Sequence, residues 1–263
     1  MNPRLPTRLV ERPWGRDTLP APFVAPDGQT IGEVWFEPSE TLPELLVKYI
    51  FTSQALSVQV HPSDAQSPGN GKEECWLVFD AQPGARLGIG FRQPISAEAM
   101  RAAALDGSIE QLMDWHEAKP GRFFHIPPGT VHAIGPGISL VEVQQNSDVT
   151  YRLYDYGRPR ELHLEQGMAV ARGEPYPAAS RCDVPEHGSV TLVEGDNFRL
   201  DRIEGMPDTE TAARYAGRLL VIPRAGKVMV AGYAIEVGEC AEAASIDELV
   251  MAPDAQALIA QAA

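Results

Sequence analysis

Leu56-Ser57-Val58-Gln59-Val60-His61-Pro62 alternates apolar and polar residues without a break. In an extended strand that spacing puts Leu56, Val58 and Val60 on one face and Ser57, Gln59 and His61 on the other. Two side chains able to hold a metal therefore point the same way. Pro62 ends the pairing and leaves His61 at a strand end, where the mouths of β-barrels and their sites are found. A polar face turned to water would read the same, so the segment takes its meaning from what surrounds it.

Outward from it, short runs rich in Val, Ile, Phe and Tyr are separated by Gly, Pro and Asn clusters, as in all-β architectures. Strands are expected over residues 33–36, 45–51, 56–61, 74–79, 122–126, 130–134, 139–144 and 149–154. One stretch breaks the pattern. Residues 96–105 read as a helix closed by Gly107, and Ser108 with Gln111 resembles a capping box, so residues 96–116 read as a helical insertion. After Asp155 a loop-rich segment leads to a second β unit, with strands expected over 189–193, 197–203, 217–222, 227–230 and 234–237. That unit holds one histidine, His187, and lacks the polar cluster upstream, so a supporting role is expected for it. The Ala-rich end, 255–263, reads as a frayed tail in preference to a short helix.

The chain has 263 residues, 44% of them hydrophobic and 22% charged, which excludes global disorder and suits one large domain or two small ones. Its formal charge of −14 disfavours nucleic-acid binding, which needs a cationic groove. Three cysteines, Cys75, Cys182 and Cys240, make no disulfide framework, and no apolar run approaches the ~18 residues of a membrane span. Six prolines in the first 26 residues, with no signal-peptide core, read as an irregular arm over residues 1–30. A soluble cytoplasmic protein is expected, without nucleic-acid or membrane partners.

Three further segments carry polar groups into this β framework. In Lys72-Glu73-Glu74-Cys75-Trp76-Leu77-Val78, alternation puts Glu74 with Trp76 and Val78, and Glu73 with Cys75 and Leu77. Either carboxylate could face the interior, and Cys75 then packs on the side opposite Glu74. In His125-Ile126-Pro127-Pro128-Gly129-Thr130-Val131-His132-Ala133-Ile134, a Pro-Pro-Gly turn joins two strands and sets His132 among apolar and small neighbours. A lone histidine of this kind is more often a hydrogen-bonded core residue than a ligand. The conjunction reverses that preference. Two histidines, a carboxylate and an amide on separate strands form an N2O2 set suited to a divalent ion such as zinc. In the third segment, 144–155, Thr150, Arg152 and Tyr154 share a face. Arg152 is costly to bury without an anionic partner, so it is either half of an internal salt bridge or an anion clamp. Lys48, inside the apolar run Leu45-Leu46-Val47-Lys48-Tyr49-Ile50, poses the same question.

Taken in order, Gln59-Val60-His61-Pro62, Gly71-Lys72-Glu73-Glu74-Cys75-Trp76, Pro127-Pro128-Gly129-Thr130-Val131-His132-Ala133 and Tyr151-Arg152-Leu153-Tyr154-Asp155-Tyr156-Gly157-Arg158 resemble the class I mannose-6-phosphate isomerases of the short bacterial type. The likeness extends upstream to Arg12-Pro13-Trp14-Gly15 and Gly32-Glu33-Val34-Trp35, and covers about residues 8–170. It implies a mainly β protein of two cupin, or jelly-roll, barrels: a catalytic one over 31–170 and a non-catalytic one over 171–263. It also implies one Zn2+ per chain on Gln59, His61, Glu74 and His132, and interconversion of mannose 6-phosphate and fructose 6-phosphate. Arg152, Lys72 and Asp148 fall on the family's catalytic groups, and Lys48, Lys72 and Arg152 on groups that would bind the sugar phosphate. Asp148, four residues before Arg152, is the leading candidate for the proton-transfer base.

The chain departs from the family in lacking a large helical domain and in carrying Glu73 where short relatives often have an uncharged residue. The first leaves a monomer or a homodimer open; register favours Glu74 over Glu73 as ligand. With a global charge of −14, local cations must dominate within a Debye length of ~8 Å for a sugar phosphate to approach. Two other functions fit the same residues: a non-catalytic sugar- or metal-binding cupin, and a metal-dependent cupin oxygenase. Retention of Arg152 and the lysines argues against the first, and an amide ligand argues against the second.

Overall fold

The strand Leu45–Phe51 is buried at every position, including Lys48. An alternating strand with one wet face would not be, and the sheet arrangement explains it. In the computed structural model, which describes residues 2–263, this strand sits inside a seven-stranded antiparallel sheet. The order is Thr7–Arg16, Ile31–Phe36, Leu45–Phe51, Ile138–Gln145, Glu74–Ala81, Arg122–Ile126 and Arg181–Asp183. One face looks into a five-stranded sheet ordered Tyr151–Tyr154, Val58–Val60, His132–Ile134, Arg86–Phe91 and Met113–Glu117. Ile50, Trp76, Val78, Phe124 and Leu140 meet Leu87, Ile89 and Ile134 in that interior. The other face packs on a third sheet, ordered Val190–Glu194, Phe198–Glu204, Gln256–Ala262, Leu219–Ala225 and Ala241–Ala243. There Val47, Tyr49, Phe51, Cys75 and Val143 meet Phe198, Leu200, Ile222 and Leu258. The large sheet is thus covered on both sides, which is why its central strands read as unbroken apolar runs.

Helices cover the far face of the five-stranded sheet. Ala97–Asp106 begins where Ser96 Oγ accepts the Ala99 amide and ends at Gly107, whose φ of 83° suits the left-handed cap. Met100, Ala103 and Ala104 pack there on Val58, Val60, Val131 and Leu153. A three-stranded sheet, Tyr233–Ile235, Val228–Val230 and Leu249–Met251, closes the second unit over Ile203, Val221 and Ile259.

Several expectations are corrected. The N-terminal segment is not an irregular arm throughout: Thr7–Arg16 is a bulged edge strand paired with Ile31–Phe36, a position that tolerates Pro13. The insertion is helical over Ala97–Asp106 and Ile109–Leu112, then becomes the strand Met113–Glu117, and the Ser108 side chain makes no cap hydrogen bond. The Ala-rich end is no tail. Gln256–Ala262 pairs on both sides, with Phe198–Glu204 and Leu219–Ala225. Arg86–Phe91 was hidden by its glycines; Gly90 takes a φ of 65°.

Candidate metal centre and cavity

Register assembles the site. Gln59 lies opposite His132, Gln144 opposite Glu74, Glu142 opposite both Trp76 and Lys48, and Arg152 opposite Gln59. Side chains facing the interior from four adjacent strand pairs therefore converge. The turn before His132 is tied to the same place: the Gly129 amide donates to His61 O at 2.8 Å, and Gly129 takes a φ of 82°, which favours glycine.

His61, Glu74 and His132 are all but inaccessible, with their ligating atoms within 4.8 Å of one another. Glu74 stands between the rings, Oε2 at 3.5 Å from His61 Nε2 and Oε1 at 3.3 Å from His132 Nε2. His61 Nδ1 lies 2.8 Å from Val149 O and His132 Nδ1 2.9 Å from Thr130 O, so each Nδ1–H donates to a carbonyl. Each Nε2 lone pair is then left for the interior, the tautomer that metal-binding histidines adopt. Burial, then Lys72, then the second ring push the His61 pKa well below its ordinary value, and burial lowers that of His132 despite Glu74. Both shifts favour the neutral rings.

Buried His61 Nε2 and Glu74 Oε2 have no hydrogen-bond partner among the described residues. Such atoms cost about 1–3 kcal/mol each when left unmet. Lys72 Nζ comes within 2.9 Å of Glu74 Oε2 and meets that oxygen as an ion pair, so His61 Nε2 is the atom left wholly unmet. Two imidazoles, a carboxylate and an unmet imidazole nitrogen fit a divalent cation. Gln59 fits less directly: its Nε2 faces His132 Nε2 at 3.2 Å while its Oε1 accepts from Ser57 at 3.1 Å. The amide must turn over to offer oxygen.

A cavity of about 490 Å³ adjoins this centre, lined by Gln59, Lys72, Lys48, Glu142, Asp148 and Arg152 among others. Lys48 Nζ donates to Glu142 Oε1 at 3.1 Å and Gln144 Oε1 at 2.6 Å and stands 4.5 Å over the Trp35 ring. Its burial lowers its pKa more than Glu142 restores it. Burial works the same way on Lys72, but Glu74 and then Glu142 outweigh it and raise its pKa. Burial alone would raise the Glu74 pKa; Lys72, then His132, bring it below the ordinary carboxylate value. Arg152 has no carboxylate partner among the described residues; its Nε donates to Glu161 O at 2.9 Å, so the internal salt bridge is absent. Asp148 is exposed on the cavity wall and makes no hydrogen bond or ion pair among the described residues.

Two facial assignments fail locally. Strand pairing begins only at Val58, and Leu56 turns inward to line the cavity with Ser57. A bulge between Arg152 and Tyr154 sends Tyr154 toward the helices, away from the face of Arg152. Trp76 lies on the side of Glu74, 5.3 Å from the His132 ring, and Cys75 on the opposite side. Sequence reasoning missed Glu142, Arg160 and His163 as cavity residues. The alternation Leu140-Val141-Glu142-Val143-Gln144 carried the signal for the first; nothing local marked the other two.

No family model matches the chain. It is 39% identical over 161 residues to the mannose-6-phosphate isomerase ManA of Bacillus subtilis, covering 54% of this chain and 51% of that one. It is 34% identical over 195 residues to the probable mannose-6-phosphate isomerase GmuF of the same organism, covering 66% and 61%. The chain thus spans about half to three-fifths of the curated relatives it matches. Among solved structures, a mannose 6-phosphate isomerase from Bacillus subtilis superposes with a TM-score of 0.78 at 22% identity, covering 99% of this chain and 100% of that one. A putative mannosephosphate isomerase from Archaeoglobus fulgidus superposes at 0.75 and 20%, covering 98% and 96%. The resemblance read from the four motifs and the mainly β, cupin-type fold are both borne out.

Proposed function

We propose that this chain is a metal-dependent aldose–ketose isomerase interconverting mannose 6-phosphate and fructose 6-phosphate. The observation that carries the reading is the convergence of two neutral histidines and Glu74 beside a cavity that also holds Lys48, Lys72 and Arg152. The curated relatives named for this activity support it. His61, Glu74 and His132, with Gln59 after its amide turns, would hold one Zn2+ per chain. When bound, zinc supplies a Lewis acid to a sugar oxygen.

The remaining roles belong to side chains. Asp148, unpaired on the cavity wall, takes the proton from the carbon next to the sugar carbonyl and, once the hydroxyl proton has passed between the two oxygens of the enediolate, returns it to the neighbouring carbon. Arg152, with no carboxylate of its own, faces the negative charge that develops on the oxygens between those two proton transfers. Lys72 and Lys48, both buried, hold hydroxyl or phosphate oxygens, and the Lys48 ammonium is kept in place by Glu142 and Gln144. Among the described residues no helix is long and apolar enough to cross a membrane. We place the protein in the cytoplasm, as a monomer or homodimer acting on a soluble sugar phosphate, in keeping with its relatives named for sugar-phosphate isomerisation.

A coupled assay with mannose 6-phosphate, run before and after chelation and again after zinc is restored, tests the proposal. Turnover lost on chelation and regained with zinc is the expected result. Metal binding without turnover would leave a binding cupin, and oxygen consumption with bound iron would leave an oxygenase.

A further inference from the structure

Of the three arginines that line the cavity, Arg12 pairs with Glu33 at 2.7 Å and Arg160 is held by both oxygens of Asp155 at 2.6 and 2.7 Å. Arg152 is left without a carboxylate. His163, half-buried at the start of the helix Leu164–Val170, lines the same cavity. Arg152 and His163 exchange two hydrogen bonds. The His163 amide donates to Arg152 O at 2.8 Å, and the Arg152 amide donates to His163 Nδ1 at 3.2 Å.

The second bond decides the chemistry of the ring. A backbone N–H can only donate, so Nδ1 must be the lone-pair nitrogen and the neutral ring carries its proton on Nε2. Burial, then Arg152, lower the His163 pKa below its ordinary value. Nε2–H has no acceptor among the described residues, although the ring lines the cavity. The arrangement is a fixed donor in a cavity that Arg152 and Arg160 also line, suited to an oxyanion and unsuited to taking a proton.

We propose that His163 is a substrate-binding residue whose Nε2–H donates to the phosphate of the sugar phosphate, in the cavity that Arg160 also lines. This rests on the reading of the cavity as a sugar-phosphate site and adds to it a residue and a role. Asp155 acts behind it by fixing Arg160, and the Arg152 amide by fixing the tautomer.

Asparagine and glutamine separate the two ring nitrogens. His163→Asn keeps an acceptor near Nδ1 and loses the donor, whereas His163→Gln can place a donor near Nε2. Titration with inorganic phosphate, followed calorimetrically on the metal-loaded protein, should show affinity ~10-fold weaker for His163→Asn and within ~3-fold of wild type for His163→Gln, the scale of one hydrogen bond to a charged group. KM for mannose 6-phosphate should rise in His163→Asn by more than kcat falls. Nitrogen-15 spectra of the wild-type imidazoles, which depend on no variant, should show the His163 proton on Nε2. Wild-type phosphate affinity in His163→Asn, or a proton on Nδ1, overturns the inference. Phosphate binding weakened by His163→Asn in a protein with no isomerase turnover sustains the inference and sinks the activity. An unchanged KM in an active His163→Asn enzyme does the reverse.

Discussion

Glu73 and Glu74 are consecutive in the chain and serve opposite sides of one sheet. Glu74 points into the first barrel, between the His61 and His132 rings and against Lys72. Glu73 points at the second β unit, accepting from His125 Nε2 at 2.6 Å and from the Asn197 side-chain amide. Those two donors, with the charge on His125, outweigh burial and lower the Glu73 pKa. One residue thus belongs to the candidate metal centre and its neighbour ties that centre's strand to the supporting unit.

Glu74→Gln should therefore strip both metal and turnover, while Glu73→Gln should keep about one metal per chain and lower stability by about 1–2 kcal/mol, the scale of a partly buried charged hydrogen bond. Elemental analysis and denaturant unfolding read the two effects separately. Metal lost from Glu73→Gln and kept in Glu74→Gln would reverse the assignment.

His61→Ala and His132→Ala should each remove most of the metal, because a site reduced by one imidazole closes poorly around the ion. If both variants retain stoichiometric metal by mass spectrometry, these are core histidines and the unmet His61 Nε2 needs another explanation.

Arg152→Lys should lower turnover at least ~100-fold with metal content unchanged, since an ammonium cannot reproduce the planar guanidinium fork where charge develops. Near-wild-type kcat in this variant would remove Arg152 from the chemistry.

At the barrel's edge, hydrogen bonding to Arg122, aided by Lys119, holds the Asp183 carboxyl at about 2. A depressed pKa stabilises the fold above the unfolded carboxylate value of 3.8 and loses that contribution as pH falls through about 2. Asp183 is more than half exposed, so the effect on stability is small. Carboxyl NMR should place its midpoint near 2 and find it raised in Arg122→Ala; an ordinary midpoint in the wild type would mean the pair does not form in solution.

How much could be read from the chain follows from the range of each interaction. Alternation is a local property of an extended backbone, so Gln59 with His61, and Glu74 with Trp76, could be assigned to shared faces before any fold was known. Four ordered motifs then carried the resemblance. Leu45–Phe51 was legible as a strand, but its complete burial, Lys48 included, depends on a second unit packing from the far side. The C-terminal run Gln256–Ala262 looked like a tail because alanine has little strand preference; its place between two strands comes from partners more than thirty residues away. The bulge after Arg152, the turning inward of Leu56 and the fixing of His163 by the Arg152 amide arise where chain segments meet. Local periodicity holds no record of such meetings, because the hydrogen bonds and contacts that impose them exist only once the distant strands have paired.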